Sequence, residues 1–254
     1  MGRLADNSQQ LRKIIRTNRW VLRLSRHWIV LVLAFLFFYT GLSLTAPLLM
    51  EAGQEGAADV IYTIYGPMCH QFAFRSWFFF GEQAAYPRAA SGTDLGTFEE
   101  YAARDPYFDG LDLNVWSADL QLRARSFVGN EEMGYKTALC QRDVAIYGTM
   151  FIFGLLFLRV RRWLRPVPIW LYLLIGLVPL GVDGFSQMLS YPPFEFWPIR
   201  ETLPGFRTLT GALFGMMNVW LAFPYLEESM TETSEIIAEK LARAEEMLAE
   251  LTAG

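Results

Sequence analysis

The feature that most limits what this chain can fold into is residues 28–50, a run of 23 residues without a charged side chain. A helix needs about 20 mostly apolar residues to cross the roughly 30 Å hydrocarbon core of a bilayer. Residues 208–226 form a second uncharged run, and residues 167–189 form a third that contains one charge, Asp183. The whole chain is 53% hydrophobic, more than a typical soluble domain. We therefore predict an integral membrane protein that sits in a lipid bilayer.

A fourth apolar run, residues 144–158, is too short to span a bilayer alone. It reaches the required length if the polar residues before it and the arginines after it lie at the two interfaces, where long side chains reach the headgroups. We therefore predict an all-α fold, an integral membrane four-helix bundle. The predicted spans are residues 28–50, 141–161, 167–190 and 208–226, between a basic N-terminus at 1–27 and an acidic helical tail at 227–254.

A cleaved signal peptide is the alternative explanation of the first apolar run. The polar lead of 27 residues is long for such a peptide, and Pro47 directly follows the only suitable cleavage site. We therefore expect the first run to remain as an uncleaved membrane anchor.

The distribution of basic residues predicts the orientation. The first 26 residues carry seven Lys and Arg against one acid, and residues 159–165 carry four arginines. Residues 51–139 contain 13 acidic and six basic side chains. Because short cytoplasmic segments are enriched in Lys and Arg, both termini are predicted in the cytoplasm of a multi-pass cell-membrane protein. The basic N-terminus is expected to contact lipid rather than nucleic acid.

The segment that follows the first span is predicted to lie outside the bundle. From Ile61 to Phe72, apolar residues recur at spacings of three and four, which is typical of a helix with one apolar face. We predict an amphipathic or re-entrant outer helix at residues 56–80. Residues 81–139 are predicted to form a long extracytoplasmic loop with one short helix near 97–104, and such a loop either covers a site or binds a partner.

The acidic tail has the spacing of a coiled coil. Its apolar residues from Ile237 to Leu251 follow gaps of four, three, four and three. Residues 231–252 are therefore predicted to bind a protein partner or to self-associate. The alternative is a solvated helix packed on the inner face of its own protein. Eight acids against two bases disfavour binding of the tail to an anionic bilayer.

Polar residues recur near the outer end of each predicted helix. A carboxylate within hydrocarbon costs at least about 2.5 to 3.5 kcal/mol, so Asp183 is expected to pair or to face a polar interior. Asp183 and Gln187 are four residues apart and share a helix face. We therefore predict one outward-facing site, lined by Cys69, His70, Arg75, Cys140, Arg142, Asp143, Asp183, Gln187 and Arg207.

Four motifs occur in a fixed order: Cys69-His70-Gln71 with Arg75-Ser76, the stretch CQRDVAIYG at 140–148, Asp183-Gly184 with Gln187, and Arg207 with Thr210-Gly211. They resemble the family of predicted membrane proteins named domain of unknown function 2085, which is found in bacteria and archaea. The resemblance covers about residues 69–211. It implies a membrane location and does not imply a reaction.

The two cysteines allow four interpretations, one of which is that they stay unpaired thiols. Both are expected on the oxidising outer side, which favours a Cys69–Cys140 disulfide worth about 4 kcal/mol in the loop-entropy model. Alternatively, the cysteines bind a metal with His70 and with Asp183 or Asp143, a ligand set suited to a zinc, copper or iron ion. A catalytic redox pair is the third interpretation, although a CxxC motif is absent.

The function predicted from these residues has two forms. In the first, Asp183, His70 and Asp143 are catalytic acid or base groups and Arg75, Arg142, Gln187 and Arg207 line the site, an arrangement suited to a lipid-borne phosphate. In the second, an Asp–Arg network and a disulfide stabilise a non-catalytic accessory subunit. The sequence contains no GxGxxG, Walker A, HExxH or CxxCH motif, and it leaves open whether the protein is an enzyme.

Overall fold

The structure is a computed structural model that describes the backbone of residues 2–253 and the side chains of residues 9–251. It is 69% helical. Within the described residues, four helical segments are long and apolar enough to cross a membrane: Gln9–Glu51, Gln141–Val160, Ile169–Ser190 and Pro204–Leu251. Each contains one predicted apolar run, so the prediction of four long apolar helices is confirmed.

The chain begins with helices, continues with three strands interleaved with short helices, and ends with helices. The helices are α1 (Gly2–Glu51), α2 (Glu55–Tyr65), α3 (Phe98–Ala102), α4 (Ala118–Ser126), α5 (Gln141–Val160), α6 (Ile169–Leu171), α7 (Val178–Ser190) and α8 (Pro204–Ala253). The strands are β1 (Ser76–Phe80), β2 (Gly129–Asn130) and β3 (Gly134–Cys140). A π-helical turn, Tyr172–Leu177, joins α6 to α7 just before Pro179, where the missing proline N–H disrupts the regular ladder.

Helices α1 and α8 extend beyond their apolar runs and pack along each other. Arg19 forms a salt bridge of 2.7 Å with Glu245, and Ile15 and Ala244 are buried. The α1 backbone leaves helical geometry at His27, with φ −116° and ψ 15°, next to the predicted start of the span. The tail therefore packs on the basic N-terminal helix of its own chain, which is the second of the two predicted arrangements.

Glycines bring α5 and α8 into direct contact. A Cβ atom on Gly215 would lie 2.4 Å from the Ile146 carbonyl oxygen, and one on Gly211 would lie 2.7 Å from the Arg142 carbonyl oxygen. The two glycines are four residues apart, the spacing that permits close approach of membrane helices. This contact fixes the height of Arg142 on α5 relative to the start of α8.

Residues 52–139, here called the cap, form a folded unit at the end of the bundle where α1 ends and α5 begins. Its three strands pair antiparallel in the order β1-β3-β2. Beside the sheet lies a core of large side chains, among which Tyr86, Phe98 and Met133 are fully buried. Because β3 ends at Cys140 and α5 begins at Gln141, the sheet continues into the bundle without a linker.

The cap corrects two predictions. The fold is not all-α, because the predicted outer helix at 56–80 is α-helical only over Glu55–Tyr65 and its last five residues form β1. The predicted loop contains α3, α4, β2 and β3. The short helix near residues 97–104 is confirmed as α3, which Thr97 caps with a reciprocal hydrogen bond to Glu100.

Candidate functional site

The first cluster at the junction of cap and bundle, here called the thiol pocket, consists of Cys69, Cys140 and Asp143. Cys69 follows α2, where its N–H donates to the Tyr65 carbonyl oxygen at 3.0 Å. Cys140 is the last residue of β3 and pairs with Ser76 of β1. Asp143 lies in the first turn of α5. Three separate elements thus bring these side chains together.

The ligand atoms of the thiol pocket all lie within 4.8 Å of one another. Cys69 is buried, and Cys140 and Asp143 are half-buried. The Cys140 N–H donates to Cys69 Sγ at 3.3 Å. Both cysteines are free, and the thiols are 3.9 Å apart instead of the roughly 2.05 Å of a disulfide. The preferred prediction of a Cys69–Cys140 disulfide is therefore corrected by the structure.

The two thiols differ in acidity. A hydrogen bond from the Cys140 thiol lowers the pKa of Cys69, although burial opposes this effect. The same hydrogen bond, together with burial, raises the pKa of Cys140. The first thiolate to form in the pocket is therefore that of Cys69, and it accepts hydrogen bonds from both the thiol and the backbone of Cys140.

A lysine near the pocket has no carboxylate partner among the residues whose side chains the structure describes. Lys136 of β3 is fully buried, and its Nζ donates to the carbonyl oxygens of Gln71 and Arg125 at 2.6 Å each. Burial lowers the pKa of Lys136 to about 7, while the nearby Cys69 opposes this shift. Lys136 was not among the predicted site residues; the available signal was a single charged residue in the strand that ends at Cys140.

The second cluster, here called the arginine cluster, is centred on two carboxylates. Glu201 is contacted by Arg75 at 2.6 Å, by Arg207 at 2.9 Å, by the Tyr191 hydroxyl at 2.6 Å and by Gln187. Burial opposes ionisation of Glu201, but the charges of Arg75 and Arg207 hold its pKa below the ordinary value. Glu201 is thus a buried carboxylate with every hydrogen-bonding direction occupied.

Asp183 is the second carboxylate of the arginine cluster. It pairs with Arg142 of α5, with Arg200 at 2.9 Å and with the Thr202 hydroxyl at 2.7 Å. Its side chain is 1% exposed. The prediction that Asp183 must have a polar partner is confirmed, and the partners are the two arginines. These contacts join α5, α7 and the connection before α8 at one point.

The predicted single site is divided into these two clusters. Asp183 lies in the arginine cluster and not with the cysteines, whereas Asp143 takes its place in the thiol pocket. His70 is exposed and packs its ring against Phe72 at 5.5 Å between centroids. The metal-ligand group found among the described residues does not contain His70. Arg75, Arg142, Gln187 and Arg207 do converge, around Asp183 and Glu201.

Glu201 is the central residue that sequence reasoning missed. It lies beside Arg200 in a connection of 13 residues between α7 and α8, where an acid gives no periodic signal. The signal that could have identified it is its position between Arg200 and Arg207, since a single acid flanked by two basic residues at a helix mouth predicts an ion pair. Tyr191 and Thr202 were missed for the same reason.

The fold and the two clusters define a class: a helical protein with four membrane-length apolar helices and a folded cap that meets them at a polar junction. Residues 121–221 match the family described as "Predicted membrane protein (DUF2085)". The resemblance stated from the motifs is confirmed for that range, which includes Cys140, Arg142, Asp143, Asp183, Gln187 and Arg207. Cys69 and His70 precede it.

The chain is also similar to an archaeal protein of similar length. It is 20% identical over 211 residues to the uncharacterized protein MJ1492 of Methanocaldococcus jannaschii, an alignment that covers 81% of this chain and 96% of that protein. No solved structure matches the chain. The likeness therefore extends well beyond residues 121–221 and carries no assigned reaction.

Proposed function

We propose that this protein is a multi-pass membrane protein that binds one divalent transition-metal ion, with zinc as the best match, through Cys69, Cys140 and Asp143. In this proposal the cap faces the outside of the cell and both termini face the cytoplasm, as the basic residues at 1–26 and 159–165 favour. Sulfur and carboxylate are ligands that zinc accepts at about 2.0 to 2.3 Å.

The spacing of the two thiols is the observation that carries this proposal. Two sulfur atoms that are each about 2.3 Å from a tetrahedral zinc ion lie about 3.8 Å from one another. The observed separation of 3.9 Å matches that edge of the tetrahedron. The Asp143 carboxylate lies within 4.8 Å of both thiols, so a small rotation of its side chain would complete three ligands.

The chemistry of the thiol pocket also supports a metal. A metal ligand must be a thiolate, and the hydrogen bond from Cys140 already favours ionisation of Cys69. Three protein ligands would leave one tetrahedral position for water or a substrate, which is the arrangement of zinc sites that exchange ligands. A metal bound there would supply Lewis acidity at that open position.

The contacts of Asp183 and Glu201 support a structural role for these two carboxylates. Each is bound by two arginines and by at least one neutral donor, so the charge of each is compensated by groups of the protein itself. We infer that they hold α5, α7 and α8 together. This corresponds to the accessory form of the sequence prediction, applied to the arginine cluster alone.

Metal analysis of the purified protein tests the proposal. The full chain, extracted in mild detergent and loaded with Zn²⁺ or Co²⁺, is expected to retain about one equivalent after desalting, and Co²⁺ is expected to show a thiolate charge-transfer band. Cys69→Ser and Cys140→Ser should each abolish that band. Asp143→Asn should weaken retention, whereas the exposed cap variant Asp94→Asn is the matched control and should not change it.

A count of reactive thiols distinguishes the alternatives. Two thiols that react freely without metal and become protected when metal is bound support the proposal. Two reactive thiols with no metal retained at any concentration would refute it. Two thiols that react only after reduction would also refute it, because the cysteines would then be joined in the membrane protein as purified.

A further inference from the structure

The arginine cluster contains more positive than negative charge. Arg75 and Arg207 pair with Glu201, and Arg142 and Arg200 pair with Asp183, so four cations meet two anions. Glu201 and Asp183 are almost fully buried. An excess of two positive charges around two buried carboxylates is unfavourable, so a bound anion would stabilise the cluster.

Three of these guanidinium groups have hydrogen-bonding capacity that the protein does not use. The Nε atoms of Arg75, Arg142 and Arg207 are buried and have no hydrogen-bond partner in the described part of the chain. Arg207 is itself only 3% exposed. It lies within electrostatic range of both Arg75 and Arg142. Buried donors that lack partners are rare in folded proteins.

The aromatic rings beside Arg75 make cation–π contacts with its guanidinium group but leave its Nε without a hydrogen-bond partner. Its guanidinium carbon lies 5.5 to 5.7 Å from the ring centroids of Phe72, Phe74 and Trp116. Such contacts are worth about 0.5 to 2 kcal/mol and orient the group without offering a hydrogen-bond acceptor. The rings therefore position Arg75, while its Nε–H remains available to donate to a ligand.

We propose that the arginine cluster binds a phosphate group, through Arg75, Arg142 and Arg207. The planar guanidinium fork matches phosphate oxygens, and a phosphate or phosphate monoester carries about 1.5 to 2 negative charges at neutral pH. That charge equals the excess of two cations in the cluster. The residues of this site differ from those of the metal site, although Cys140 lies within electrostatic range of Arg75 and Arg207. The proposal goes beyond the proposed metal-binding function.

The position of the cluster indicates how such a group would enter. The side chains of Arg75 and Arg142 are each 21% exposed, and that of Arg200 is 39% exposed. The cluster lies where α7 ends and α8 begins, at the ends of apolar helices. Both free phosphate and the phosphate monoester headgroup of a lipid present the same chemistry at that depth, and the experiment below separates them.

The experiment is thermal unfolding of the purified full chain in detergent, with EDTA present so that metal does not contribute. Inorganic phosphate is titrated against chloride at constant ionic strength, and a parallel series uses protein in phosphatidylcholine vesicles with or without phosphatidic acid. A ligand that binds only the folded state raises the unfolding temperature in a saturable way. Saturation by inorganic phosphate, or by phosphatidic acid alone, supports the proposal and identifies the source of the phosphate.

Substitutions in the cluster are expected to change the phosphate affinity in opposite directions, which a network with a purely structural role would not produce. Arg142→Lys keeps the charge but lacks Nε, and it is expected to weaken the apparent phosphate affinity at least tenfold. Asp183→Asn raises the excess to three cations and should strengthen that affinity severalfold, even if the variant unfolds at a lower temperature. Arg104→Lys, on the exposed cap surface, is the matched control and should leave the affinity unchanged.

Two results would overturn the proposal. One is an unfolding temperature that depends on neither phosphate nor phosphatidic acid. The other is a phosphate response that Arg142→Lys and Arg104→Lys change equally, because it would then arise from the general surface charge. Cys69→Ser should retain the phosphate response, so failure of the metal proposal and failure of the phosphate proposal give different results.

Discussion

The cap buries its large aromatic side chains, whereas the four apolar helices leave many of theirs at the surface. Phe98 and Tyr86 in the cap are 0% exposed, but Phe35 on α1 is 61% exposed and Phe185 on α7 is 64% exposed. The cap is thus packed as a water-soluble unit is, by hydrophobic burial. The helices α1, α5 and α8 share a smaller buried apolar cluster that includes Trp28, Phe157 and Phe223. They also meet at glycines and arginine–carboxylate pairs, as expected where lipid solvates the remaining apolar surface.

The largest test of this difference removes an aromatic ring from the cap. Phe98→Ala should destabilise the cap by about 3 to 5 kcal/mol, because it leaves a cavity beside Phe74 and Phe108. Limited proteolysis in detergent should then cut residues 81–139 while residues 141–253 stay intact. The helix-surface variant Leu122→Ala, at a side chain that is 64% exposed, is the control. Simultaneous loss of both regions would show that they unfold as one unit.

A second test perturbs only the helices. Gly215→Ala places a Cβ against the Ile146 carbonyl oxygen, so α5 and α8 must separate, at a cost of about 1 to 3 kcal/mol. The unfolding temperature followed by circular dichroism should fall, with no new cleavage in the cap. Gly181→Ala on α7 has no atom within 4 Å of its added Cβ and should be neutral or slightly stabilising. Equal effects of the two variants would contradict the close contact.

A third test concerns Lys136 of β3, close to where the cap meets the bundle. Its pKa of about 7 in the folded protein lies below that of an unfolded lysine, about 10.4, so the unfolded chain binds more protons between these values. Stability of the cap should therefore rise with pH from about 7.5 to 10, by up to about 1.4 kcal/mol per unit from this group.

Lys136→Met should remove that contribution and flatten the pH dependence of cap unfolding measured by protease resistance. Cys69 and Arg125 are the charged or ionisable neighbours that affect Lys136, and both remain in the variant. Lys240→Met, on the exposed tail, is the control and should keep the wild-type slope. An unchanged slope in Lys136→Met would mean that Lys136 stays protonated when folded.

The apolar helices could be predicted from sequence because length and hydrophobicity alone determine them. The fold of the cap could not be predicted, because its helices and strands are at most 11 residues long and its aromatic residues follow no single period. The apolar spacing from Ile61 to Phe72 predicted a helix that continues past Tyr65. The helix instead ends at Tyr65, before Gly66 and Pro67. Local sequence could not show that β3 would pair with β1 instead.

The site could be predicted as a set of residues but not as two clusters. Asp183 was recognisable because a charge within an apolar run needs a partner. Its choice of Arg142 and Arg200 over His70 depends on the contact of α5 with α8, which the sequence does not encode as a local pattern. The disulfide prediction relied on the expected oxidising side and on cysteine number, neither of which fixes the distance between two thiols.

The direct joint between β3 and α5 has a mechanical consequence. Cys140 pairs with Ser76 across the sheet, and the Gln141 side chain donates to the Ser76 carbonyl oxygen at 2.9 Å, so strand and helix are clamped on both sides of the joint. A rotation of α5 about its long axis therefore moves Cys140 with it. A ligand bound to the Cys140 sulfur would be displaced by that rotation, and its binding would in turn resist rotation of α5.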